Sequence, residues 1–66
     1  MLGYQYFTEQ EAIDARKKCA DYYGLPKAPE DETIYWVNYE SAENFWYIVF
    51  DESIRDILGE PTNFEI

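Results

Sequence analysis

The stretch TIYWVNYESAENFWYIVF, Thr33–Phe50, constrains the fold more than any other part of the chain. β-Branched and aromatic residues crowd Thr33–Tyr39 and Phe45–Phe50, and Glu40–Asn44 is the polar break between them, a pattern that predicts a β-hairpin. Side chains alternate along a strand, so Thr33, Tyr35, Val37 and Tyr39 share one face while Ile34, Trp36 and Asn38 share the other. The second strand divides into Phe45, Tyr47 and Val49 against Trp46, Ile48 and Phe50. A hairpin with one solvated face shows strict apolar and polar alternation. This one is apolar on both faces, so both need cover.

The flanking segments supply cover for one face. Tyr4–Phe7 reads as a short strand, and Thr8-Glu9-Gln10-Glu11 directly after it is a capping box, with Phe7 placed to staple onto Ala12. A helix is predicted from Glu9 to about Tyr23. Its apolar face is Ala12, Ala15, Cys19 and Tyr22 or Tyr23, with Ile13 and Ala20 at the margin. These residues are mostly small, which lets the helix lie close to a sheet whose own side chains are large. Arg16, Lys17 and Lys18 lie late in the helix, in favour of its dipole and within reach of Asp14 and Asp21. Gly24 reads as the C′ residue, and Leu25-Pro26 stops the helix. Lys27–Glu32, with a second proline and three successive acids, reads as a solvated connection. After the hairpin, Asp51 caps a short helix, Glu52–Leu58, with Ile54, Ile57 and Leu58 as its stripe and Gly59 and Pro61 at its end. Thr62–Ile66 alternates and forms a last edge strand or frays at the terminus.

The fold class is therefore α+β: a small antiparallel sheet with one main helix packed on it, in the order β-α-β-β-α-(β). That is the element order of a ferredoxin-like fold in reduced form. A three-stranded sheet with the second helix at an edge is the alternative. Residues 1–66 read as a single domain, of a size that buries only about 60 % of its unfolded surface. The 20 % of aromatic residues compensates, because each buried ring removes roughly 150–250 Å² from water.

Fourteen acids against five bases give a formal charge of −9. That opposes direct binding to nucleic acid or to anionic lipid and favours a protein partner with a basic surface. Cys19 is the lone cysteine, so no internal disulfide forms, and a reducing, cytoplasmic setting is expected. No apolar run spans a membrane and Met1–Thr8 lacks the layout of a signal peptide.

No catalytic constellation is legible, and an enzymatic role is not expected. Histidine is absent, which removes the commonest general base and metal ligand. Cys19 falls on the small apolar face of the first helix, where a packed thiol is the natural role. The acids match no calcium loop, and no cofactor is expected. Rings on a sheet are also used to stack RNA bases. Here Phe45–Phe50 lacks the glycine-bearing basic signature and the hairpin has no Lys or Arg. Most of Tyr35, Trp36, Tyr39, Trp46 and Tyr47 belong to the core, and the remainder form a candidate protein interface. Glu30, Asp31, Glu32, Glu40 and Glu43 form a candidate acidic patch. The function expected is a small acidic module acting by protein contact. The alternative is an acidic nucleic-acid mimic that blocks the basic groove of a DNA- or RNA-processing enzyme. A weak homodimer is expected too, with Trp36 or Trp46 near the contact.

YFTEQEA at Tyr6–Ala12, GLP at Gly24–Pro26, WYIVFDE at Trp46–Glu52 and LGEPTNF at Leu58–Phe64 together resemble the layout of short phage- and prophage-encoded proteins. The resemblance implies a non-enzymatic accessory or host-directed protein working in the host cytoplasm. It transfers no functional residue.

The capping box gives a direct check. Thr8→Ala should lower stability by about 0.5–2 kcal/mol through loss of the helix cap, read as a fall in the urea midpoint; an unchanged midpoint would remove Thr8 from that role.

Overall fold

Strand β1, Leu2–Tyr6, runs through the middle of a four-stranded sheet. A computed structural model of the chain describes residues 1–23 and 37–66. Helix α1 follows at Glu9–Tyr22, then β2 at Glu40–Ser41 and β3 at Trp46–Val49. One 3₁₀ turn, Glu52–Ile54, leads into α2, Arg55–Leu58, and β4 closes the chain at Thr62–Asn63. The strands lie in the order β2-β3-β1-β4, and every neighbouring pair is antiparallel. Both β1 and β2 are antiparallel to the β3 between them, so they are parallel to each other, a split βαβ unit. By the same reasoning β3 and β4 are parallel with β1 between them. Two interlocked split units make this the reduced ferredoxin-like arrangement.

The capping box forms as the sequence predicts. The Glu11 amide donates to Thr8 Oγ1 at 3.2 Å, and the Thr8 amide donates to Glu11 Oε1 at 3.1 Å. Ala12, Ala15, Cys19 and Ala20 are the buried residues of α1. Tyr22 and Tyr23, expected on that face, are exposed; the rings stack edge-on with centroids 5.0 Å apart, and the Tyr23 hydroxyl donates to the Ser53 carbonyl at 2.6 Å. The last turn of α1 carries no cation. Arg16 instead reaches across to the Asn38 side chain, donating at 2.9 Å, and lies over the Tyr39 ring at 5.1 Å. Phe7, expected as a staple on Ala12, lies against Phe45.

The hairpin is shorter than its composition suggests. Glu40 and Ser41, read as loop, pair with Tyr47 and Trp46, and the turn follows, closed by the Ala42 amide donating to the Phe45 carbonyl at 2.8 Å. Val37, Asn38 and Tyr39, read as strand, lie outside β2. The rest of that strand, Thr33–Trp36, lies outside the described residues, as do the Gly24 stop and the Lys27–Glu32 connection. Asp51 caps the second helical segment by accepting from the Ser53 amide at 3.2 Å. The predicted single helix is in fact a 3₁₀ turn joined to one α-turn. The tail pairs as an edge strand over Thr62–Asn63.

Tyr4, Ala15, Cys19, Val37, Ile48 and Ile54 form the core, with Tyr6, Tyr39, Phe50, Ile57 and Leu58 packed around it. Ile48 is 1 % exposed and Ile54 is 0 % exposed. Burial raises the Cys19 thiol pKa and pushes that of Tyr6 up to about 12. The Tyr4 hydroxyl donates to the Gly59 carbonyl at 2.8 Å, tying the central strand to the end of α2. Gly59 sits at φ 89°, a conformation that favours glycine.

Gly3 has a different requirement. A Cβ built there would overlap the Ile48 carbonyl oxygen of the adjoining strand, so β1 and β3 approach each other where only glycine fits. Gly3→Ala should therefore lower stability by about 1–3 kcal/mol, in the range of an overpacked interior. A urea midpoint equal to that of the unaltered protein would show that the two strands separate at no cost.

Candidate interaction face

Strand parity divides the sheet into two surfaces. Residues directly opposite in an antiparallel pair share a face. Tyr4 opposite Ile48 and Tyr6 opposite Trp46 therefore define the face that carries the helices, since Tyr4 and Ile48 are core partners of Ala15 and Cys19. Gly3 opposite Val49 and Gln5 opposite Tyr47 define the other. Thr62 joins this second face through Gly3, and Glu40 joins it through Tyr47. Among the described residues neither helix packs on it.

Four rings gather on this second face. Phe45 is the hub, with centroid distances of 6.4 Å to Phe7, 6.2 Å to Tyr47 and 5.7 Å to Phe64. Tyr47 and Phe64 close a triangle at 5.9 Å. Interplanar angles of 60° to 88° make all four contacts edge-to-face, the arrangement that the ring quadrupole favours. Phe64 reaches the cluster from the far side of β1. Its backbone is held there by two bonds: its amide donates to the Met1 carbonyl at 2.9 Å, and the Met1 amino group donates to the Phe64 carbonyl at 3.0 Å. Phe45, Tyr47 and Phe64 half-bury one another. Phe7 stays 67 % exposed and Val49 51 % exposed.

The charge on this face is sparse. Glu40 is the one charged residue that strand pairing assigns to it among the described residues. The described cationic side chains are all on the helices. Arg16, Lys17 and Lys18 belong to α1, and Arg55 of α2 lies 4.9 Å over the Phe50 ring. Arg55 also pairs with Glu52 at 2.8 Å and with Glu60. Its guanidinium lowers the Glu52 carboxyl pKa, chiefly by hydrogen bonding, and both carboxylates raise that of Arg55. Among the described residues no three of His, Cys, Asp and Glu come together to hold a metal ion. Nor, among the described residues, is any helix long and apolar enough to cross a membrane.

Of the rings singled out in the sequence, the structure places Tyr47 on the open face, Trp46 opposite Tyr6 on the helix side, and Tyr39 against the core. The Tyr39 hydroxyl donates to Glu9 Oε2 at 2.9 Å, a bond that also raises the Tyr39 pKa. These three residues do not share a surface. Tyr35 and Trp36 lie outside the described residues, as do Glu30, Asp31 and Glu32. Glu40 and Glu43 are exposed, Glu40 in β2 and Glu43 in the turn after it. Phe7, Phe45, Val49 and Phe64 are the members that sequence reasoning missed as site residues. The signal for two of them was present, since Phe45, Tyr47 and Val49 alternate on one face. Phe7 and Phe64 join through pairings with distant strands, which no local pattern reveals.

Comparison with family models, curated proteins and solved structures finds no match.

If the four rings act as a unit, their contributions are coupled. Phe45→Ala and Phe64→Ala together should cost less than the sum of the single changes, with a coupling energy of about 0.5–1.5 kcal/mol. Additive losses in urea unfolding would mean that the two rings are neighbours without an energetic contact.

Proposed function

We propose that this protein is a small binding module that works by protein contact through the open face of its sheet. The single observation that carries the reading is the ring cluster of Phe7, Phe45, Tyr47 and Phe64 on the face opposite both helices. Aromatic residues are the usual anchors of protein interfaces, and the exposed Phe7 and Val49 at the cluster's margin supply the first contact area. The partner is a protein whose apolar patch is flanked by Lys or Arg, since a chain of net charge −9 attracts cations at the rim of any contact it makes. Nucleic acid is the poorer ligand: base stacking on a sheet works together with cations along the backbone path, and strand pairing brings an acid, Glu40, to this face. The resemblance of its sequence layout to short phage and prophage proteins is in keeping with a host-directed accessory role in the cytoplasm.

Capture of partners from cell lysate by the unaltered protein and by a Phe7→Ser/Val49→Ser variant, each at low and high salt, tests the reading. A partner that survives high salt on the unaltered protein and is lost on the variant is the expected result. Equal capture by both would remove the open face from the function. A nucleic-acid enzyme held by both at low salt and released from both by high salt would favour the mimic of nucleic acid instead.

A further inference from the structure

The geometry points to a second contact, apart from the rings: the edge of β3 beyond β2 takes an extended segment of a protein partner, with a Lys or Arg between two apolar residues. Backbone direction is the first support. The Phe50 amide donates to the Leu2 carbonyl at 3.0 Å, so Ile48 and Phe50 turn their backbone groups toward β1, and alternation turns those of Tyr47 and Val49 toward β2. Tyr47 is taken by Glu40. Continued by two residues, that register sets Asn38 opposite Val49. The Asn38 side chain instead accepts from the Tyr39 amide at 3.0 Å and from Arg16 at 2.9 Å, and the backbone leaves the sheet. Among the described residues no group bonds the Val49 N–H or C=O. Such an edge is the template on which an added strand pairs.

The space beside that edge is the second support. A cleft of about 460 Å³ opens between residues 37–40 and 48–51, within the range of about 300–1,000 Å³ that bound ligands fill. Val37, Ile48 and Phe50 make its apolar wall, and Glu40 and Asp51 supply its charge. None of the described cations lines it: Arg16 comes from α1 to the Asn38 side chain, and Arg55, over the Phe50 ring, is paired with Glu52 and Glu60. A residue paired with Val49 shares its face, where Glu40 also stands, so a Lys or Arg there lies beside a carboxylate. Its two neighbours point to the helix side, toward Ile48 and Phe50, and are apolar. Main-chain bonds then supply affinity, and the alternation of side chains supplies selectivity.

Amide hydrogen exchange and NMR titration of the full chain with a blocked Ser-Val-Lys-Val-Ser peptide are the test. Two control peptides accompany it, one with glutamate at the centre and one with the backbone nitrogen of the central lysine methylated. In the free protein the Val49 amide is expected to exchange faster than those of Ile48 and Phe50, and to slow when the lysine peptide binds. Each control should bind about tenfold or more weakly, since it forfeits a charge pair or a hydrogen bond to an otherwise unpaired backbone group. Glu40→Lys, at an exposed position, should reverse the preference between the lysine and glutamate peptides; if that variant unfolds, Glu40→Gln, expected to weaken the lysine peptide alone, replaces it. Phe7→Ser should leave peptide binding unchanged. A Val49 amide as protected in the free protein as its neighbours would show an edge already paired and overturn the inference. So would no binding at millimolar peptide, equal binding of the three peptides, or loss of binding on Phe7→Ser, which places the peptide on the open face. Peptide binding at the cleft, together with equal capture from lysate by the unaltered protein and by Phe7→Ser/Val49→Ser, would remove the ring face and keep this site.

Discussion

The handedness of the two crossovers is the constraint on which this architecture depends. β1 passes to β2 in one direction across the sheet, and β3 passes to β4 in the opposite direction with its strands reversed. Crossovers between parallel strands are right-handed in nearly all proteins, and two right-handed crossovers related in this way arch over the same side of the sheet. Ala15 and Cys19 of α1 and Ile54, just before α2, accordingly meet in one core with Tyr4 and Ile48. Among the described residues both helices are committed to one face. The other face carries, among the described residues, the rings of Tyr47 in β3 and of Phe7, Phe45 and Phe64 beside the strand ends.

On the helix side, volume is divided in favour of the sheet. Ala12, Ala15, Cys19 and Ala20 are the buried residues of α1, and Ala15 and Cys19 share a core with Tyr4 and Ile48, against which Tyr6 packs. A short chain gains most by this division, because aromatic side chains remove large areas from water while alanine in a helix loses no side-chain entropy. Polar tethers hold the periphery. Tyr4 to Gly59, Tyr23 to Ser53 and Tyr39 to Glu9 each place an aromatic body over apolar neighbours and a hydroxyl on an acceptor. Tyrosine, with seven copies, thus serves both packing and connection.

Charge and apolar surface are segregated in the same way. The acids of α1 and of the second helical segment ring the helix layer, and Arg55 is neutralised locally by Glu52 and Glu60. The open face keeps Glu40 at one edge. A surface that is poor in charge on a chain of net charge −9 combines solubility, which the acids maintain, with a contact area that costs little to desolvate.

The sequence by itself determined the α+β class, the element order, the capping box at Thr8 and the small face of α1, because each is a local matter of alternation, helical period or a side chain bonding three residues away. It also determined that Phe45, Tyr47 and Val49 share a face. Which face that was, only the tertiary structure decided: parity separates two sides of a strand without saying which of them meets a helix. Tyr47 and Trp46 are adjacent and equally aromatic, yet β1 pairing sends Trp46 to the helix side with Tyr6 and Tyr47 to the open side with Gln5. The strand boundary at Glu40 escaped composition because pairing with Tyr47 outweighs the low strand propensity of glutamate. Phe7 and Phe64 lie 57 residues apart and meet the same ring, Phe45, only because the edge strand β4 pairs with β1, which in turn pairs with β3.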